Sequence, residues 1–103
     1  YQAIKRKCAD ILVETEFARS AAYAACFAAA ENEADFLETA ALAKATCSEA
    51  YVHAAGEAIQ IHGGMGFTWE LPVHLYFKRA KASDLLFGDA AHHRERLADM
   101  VGI

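Results

Sequence analysis

From Ala3 to about Ala30, one face of the chain reads Ile4, Cys8, Ile11, Thr15, Ala18, Ala22, Ala25 and Ala29. Steps of three and four residues predict a helix. Leu12, Val13 and Phe17 widen this stripe, and Lys5, Asp10, Glu14 and Arg19 fall largely off it. At 1.5 Å per residue, a helix of ~27 residues is about 40 Å long, a length that suits a bundle. Glu31-Asn32-Glu33 breaks the pattern, and Asp35 with Glu38 three residues on forms a capping-box signature for a second helix. That helix runs to about Ile61, with Phe36, Ala40, Ala43, Cys47, Ala50, Ala54, Ala58 and Ile61 on its inner face. Gly56 inside it costs ~1 kcal/mol against alanine, for which close packing on another helix is the usual reason. Gly63-Gly64 ends it. A loop follows, and Pro72 opens a third helix from Val73 to about Ser83. After a break near Phe87-Gly88, Asp89 can cap a last helix from Ala90 to about Val101. Nothing alternates with a period of two, so no strand is expected. The expectation is an all-α chain, one unit over residues 1–103, with two long antiparallel helices and two shorter C-terminal ones.

Composition changes this picture in one respect. Of 103 residues 24 are alanine, 16 of them in the first 50, so the faces that meet are small. Alanine favours helix but buries little area, and such faces need larger side chains from elsewhere. The isolated chain is therefore expected to be a poorly stable monomer. The net charge of -4, with no basic stripe, argues against nucleic acid as a partner. The apolar run Ala21–Ala30 is too short to span a bilayer. No signal peptide is visible, and the start at Tyr1 rather than methionine suggests a fragment or a processed chain. Cys8, Cys26 and Cys47 lack metal or disulfide spacing and read as small buried hydrophobes in a reducing cytoplasm.

The one dense cluster of unusual residues is Gln60-Ile61-His62-Gly63-Gly64-Met65-Gly66. Glycines let a ligand approach bare backbone, and their N–H groups can face an anion. A helix C-cap followed by a tight turn explains the same residues without a ligand. A helix precedes the glycines, so this is not the dinucleotide fingerprint, and no Gly-Lys-Ser/Thr follows to make a Walker loop.

The run QIHGGMGFTWELP, Gln60 to Pro72, resembles the C-terminal signature of the acyl-CoA dehydrogenases. Gln2-Ala3-Ile4, Ala18-Arg19 and the ending FKRAKASDLLFGDAAHHRERLADMV are similar to the same family, in register over essentially the whole chain. The resemblance implies the later part of a C-terminal four-helix bundle, in an enzyme that desaturates acyl-CoA thioesters with FAD. It implies that Gln60, Ile61, His62, Gly63 and Gly64 contact the FAD of a neighbouring subunit. A homo- or hetero-oligomer, dimer or tetramer, and an electron acceptor such as an electron-transfer flavoprotein follow as partners. Many members carry the catalytic glutamate in a Tyr-Glu-Gly-Thr stretch, where this chain has Phe87-Gly88-Asp89-Ala90. Gly88 stands at the glutamate's position and cannot be a base. Asp89 is one residue displaced and reads more naturally as an N-cap; an earlier helix or a partner subunit are the other places for the base. The ending also resembles members that work as mixed pairs on bulky acyl-CoAs such as steroid side chains.

The remaining polar residues have plainer readings. His92-His93 are adjacent and point to different sides of a helix, so no metal site is expected. His53 reads as a bundle-surface histidine and His74 as a helix-start one. Phe67 and Trp69 read as packing anchors under the loop. Lys78, Arg79 and Lys81 form a solvated basic face, and Arg94, Glu95 and Arg96 surface ion pairs.

Overall fold

The computed structural model describes residues 2–63 and 72–103. The described residues form four helices and no strand: α1 (Gln2–Ala30), α2 (Phe36–Ile61), α3 (Val73–Leu85) and α4 (Ala90–Val101). The loop expected to hold Phe67 and Trp69 lies outside the described residues, as does Gly64. α2 is the central rod, packing on α1, α3 and α4, which barely meet one another. α1 lies antiparallel to it, with Lys7 beside Gln60 and Ala18 beside Cys47. α3 is antiparallel on another side, where the Phe77 ring sits against Gly56. α4 turns back and runs alongside α2, beginning near Lys44 and passing Glu49.

The helix ends follow local chemistry. α1 closes with Asn32 in the left-handed region (φ 53°). Glu33 N–H donates to the Ala28 carbonyl at 2.9 Å and Asn32 N–H to Ala29 at 3.3 Å. This is a Schellman closure with asparagine in the place usual for glycine. The α2 start differs from expectation. Asp35 (φ -94°, ψ 16°) makes no side-chain cap, so no capping box forms. The first-turn polar contact is instead Thr39 Oγ1 donating to the Phe36 carbonyl at 2.9 Å. α2 passes through His62 and ends with Gly63 at φ 65°. Pro72 precedes α3 with helical angles and accepts from Tyr76 N–H.

The buried faces are small. Of the eight buried apolar residues among those described, six are alanines, with Ile59 and Val73 the exceptions. On α1 the inward residues are Lys7, Ile11, Glu14, Ala18, Ala21, Ala22, Ala25 and Ala28; Ile11, Ala18, Ala22 and Ala25 belong to the predicted stripe, and the seam extends from them toward Lys7, Glu14, Ala21 and Ala28. Ile4, Cys8, Thr15 and Ala29 are exposed. Small side chains let α1 approach α2 closely and two polar residues find partners there, so the bulky Leu12, Phe17, Tyr23 and Phe27 turn outward, each at least 60% exposed. The cysteine reading is corrected for the same reason: Cys8 and Cys26 lie outside the seam and are exposed, and only Cys47 is half-buried. On α2 the deepest residues are Ala41, Ala45, Ser48, Ala55 and Ile59 rather than the predicted face. A rod covered on three sides has no single inner stripe.

Candidate functional site

The C-terminal end of α2 holds the residues expected at a cofactor. Gln60, His62 and Gly63 are exposed and Ile61 is half-buried. The structure does not gather them on one face. The Gln60 side chain turns toward α1, where its Oε1 accepts from Lys7 Nζ at 3.1 Å. The His62 ring folds back along α2, and its Nδ1 donates to the Ala58 carbonyl at 2.7 Å. It lines a crevice of about 460 Å³ between α2 and α3 with Tyr51, Val73 and Tyr76. Gly63 has φ 65°, and nothing lies within 4 Å of where a Cβ would stand. Among the described residues nothing covers this backbone, which takes a conformation that side chains resist.

The electrostatics of this end are mixed. Helix C-termini carry the negative end of the dipole, which disfavours an anion. A chain of paired groups runs along the α1–α2 seam toward this end. Glu14 Oε2 meets His53 Nδ1 at 2.9 Å, and His53 Nε2 lies 3.6 Å from Glu57 Oε1. Glu57 Oε2 then accepts from Lys7 Nζ at 2.5 Å, and Lys7 reaches Gln60. His53 is thus exposed but joins two helices, more than the plain surface role expected of it.

The α3–α4 turn, where the family glutamate would stand, is tightly fixed. Lys44 Nζ donates to the carbonyls of Asp84 at 3.0 Å and Gly88 at 2.8 Å, and to Ser48 Oγ at 2.9 Å. Asp84 Oδ1 accepts from Ala90 N–H at 3.1 Å, and Asp89 Oδ1 from His92 N–H at 2.8 Å. Asp89 is therefore the N-cap of α4, as its position suggested. His93 is buried and its Nε2 donates to the Phe87 carbonyl at 2.8 Å. Phe87 (φ 62°) is held left-handed with its ring 85% exposed. Gly88 has φ 96°, and a Cβ there would lie 2.5 Å from His92 Cδ2 and 3.1 Å from His93 Nε2. The left-handed backbone and the His92 and His93 rings together disfavour a side chain at this position.

Two further observations bound the chemistry. Among the described residues no three His, Cys, Asp or Glu side chains are grouped to hold a metal, and His92 and His93 make only an edge-on ring contact. An open groove of about 1610 Å³ lies over α2 between α1 and α4, lined by residues that include Phe17, Leu42, Val52, Leu97 and Val101. Its size exceeds the other crevice, but it lies along the bundle flank rather than at the Gln60 end. It has the form of a cleft between helices that share one neighbour.

The family model for the acyl-CoA dehydrogenase C-terminal domain matches residues 1–102. The chain belongs to the acyl-CoA dehydrogenase family. It is 40% identical over 101 residues to acyl-CoA dehydrogenase IpdE2 of Mycobacterium tuberculosis, covering 98% of this chain and 30% of that protein. It is 33% identical over 93 residues to the human mitochondrial short-chain specific acyl-CoA dehydrogenase, covering 90% of this chain and 22% of that protein. A solved FAD-dependent dehydrogenase superposes with TM-score 0.92 at 30% identity, over 100% of this chain and 28% of the other. An electron transferring flavoprotein structure from Acidaminococcus fermentans superposes with TM-score 0.91 at 29% identity, over 98% of this chain and 26% of the other. The chain thus spans less than a third of the length of these relatives.

Within an acyl-CoA dehydrogenase C-terminal domain, the two regions of interest sit toward opposite ends of α2. Lys44 grips the turn at Gly88, and Gln60 lies 16 residues further along the same rod, about 24 Å away. Lys44, Lys7 and Asp84 make hydrogen bonds between elements, with partners that no local pattern in the sequence marks. Lys44 alone carried a signal, as the one cation in the otherwise small and apolar run Ala40–Ala45. Of the residues read as plain surface, Arg94 pairs with Glu49 across α2 and α4, while Glu95, Arg96, Lys78, Arg79 and Lys81 are exposed.

Proposed function

We propose that this chain is the C-terminal part of an FAD-dependent acyl-CoA dehydrogenase that desaturates an acyl-CoA thioester between its α and β carbons. The end of α2 meets the FAD of a neighbouring subunit, so the site is complete only in an oligomer. Gln60 carries the reading. Lys7 occupies its amide oxygen, which leaves the amide NH₂ free to donate to a ligand oxygen. Gly63, three residues on, offers backbone that no side chain of the described residues covers. One donor amide and bare backbone at an exposed helix end fit a phosphate or flavin oxygen. Ile61, His62 and Gly64 complete the proposed contact. Bound FAD supplies the acceptor for the β hydride. An electron-transfer flavoprotein is the proposed electron acceptor, in the cytoplasm.

A second reading rests on Gly88. Its φ of 96° and the 2.5 Å approach to His92 leave no room for a base where many members carry one. In that reading the chain is part of a non-catalytic subunit, and a partner in a heteromeric enzyme supplies the carboxylate that removes the α proton. The two readings part on one experiment. The complete polypeptide is purified alone and mixed with FAD and an acyl-CoA. Flavin retention and bleaching by substrate support the homomeric enzyme; flavin retained only after co-expression with a partner supports the mixed one. Flavin bound in neither case removes both.

A further inference from the structure

We propose that Lys7 is a positioning residue for Gln60, setting which way its amide faces the cofactor. The inference rests on the reading that Gln60 meets FAD. Lys7 stands in the second turn of α1, 53 residues from Gln60 in the chain, and its Nζ lies 3.1 Å from Gln60 Oε1. An ammonium only donates, so the amide must present oxygen to Lys7 and NH₂ to the outside. Without the lysine the exposed glutamine could turn either way and would lose orientational freedom on binding. Lys7 is itself held. Glu57, whose side chain is only 18% exposed, takes its proton donor at 2.5 Å, and His53 braces Glu57 on the other side at 3.6 Å. The ion pair leaves Lys7 with little net charge to offer an anion directly, so it acts through Gln60.

The test is a double-mutant cycle on FAD affinity, read by quenching of flavin fluorescence on the complete, assembled apoprotein. Gln60→Ala and Lys7→Met are each expected to raise the FAD Kd about fivefold, the worth of one hydrogen bond. The double variant is expected to bind no more weakly than Gln60→Ala, because Lys7 has nothing left to orient. Lys7→Arg, which keeps cation and donors, should retain most of the affinity. Helicity and melting temperature are followed in parallel, and Lys7→Ser replaces Lys7→Met in the cycle if the latter fails to assemble. If Gln60→Ala weakens FAD but Lys7→Met does not, the positioning role is wrong and the cofactor reading stands. If the two effects add, Lys7 acts by another route and the proposal is overturned. If Gln60→Ala leaves FAD affinity unchanged, the cofactor reading fails and the proposal with it.

Discussion

Lys44 holds Gly88 by its carbonyl at 2.8 Å, and the same ammonium caps the last turn of α3 at Asp84. One side chain on α2 thereby sets the angle at which the chain leaves α3 and enters α4. Lys44→Met keeps the stem and removes the donors. It is expected to destabilise the folded protein by about 1–3 kcal/mol, since partly buried carbonyls lose a charged donor. Chemical denaturation measures this, and amide exchange should quicken first around residues 86–90.

Gly88→Glu puts a carboxylate back at the family position in the sequence. It should not put one back in the site. A left-handed φ and a contact at 2.5 Å force the His92 ring or the turn to shift, and the strained φ costs about 1–3 kcal/mol. We expect a lower melting temperature and no gain in acyl-CoA-dependent flavin reduction. A variant that bleaches flavin faster than the parent would show that the turn adapts.

Gly56→Ala runs the other way. The added methyl would lie 3.6 Å from the Phe77 ring, an ordinary contact. The close packing expected of this glycine is therefore not tight enough to exclude alanine. Helix propensity then dominates, and stability should rise by about 0.5–1 kcal/mol. A fall in melting temperature would contradict the spacing.

Cys47 donates from Sγ to the Ala18 carbonyl at 3.3 Å, and burial pushes its thiol above the ordinary value of 9.0. Below pH 9.0 the thiol is protonated whether the chain is folded or not, and its contribution is fully present. As the pH rises past that value the unfolded chain loses the proton first, so stability falls through the folded pKa. Cys47→Ala should flatten the alkaline limb of the stability profile. Alkylation of the folded chain should modify Cys8 and Cys26 before Cys47.

The isolated 103-residue chain should be a poor monomer. Among the described residues no large side chain is fully buried, while Leu12, Phe17, Tyr23 and Phe27 face outward. Sedimentation should show self-association, and the thermal transition should be broad. A sharp, concentration-independent melt of a monomer would refute this.

Local signals were legible in the sequence, and distant ones were not. Asp89 announces α4 because an N-cap acts within three residues, and the α4 bounds agree at both ends. Gly63 announces the end of α2 because only its own φ is involved. Asp35 and Glu38 show the reverse: the pattern was present, but Asp35 took angles that do not permit the cap. The α1 seam is legible at Ile11, Ala18, Ala22 and Ala25 but not along its other edge, because alanines occur on two adjacent faces and Lys7 and Glu14 find Glu57 and His53 on α2. Pairings between residues so far apart leave no periodic trace. The bend itself was legible as chemistry through its glycines, but not that Gln60 and His62 would face different neighbours.

The separation of Gln60 from the Gly88 turn along α2 has a genetic consequence on the proposed reading. A lesion near Gln60 acts on a neighbour's cofactor site, whereas a lesion at the turn acts on the fold of its own chain. Two inactive alleles, one altered near Gln60 and one near the turn, could then restore each other in a mixed assembly. Two alleles altered at the same end could not.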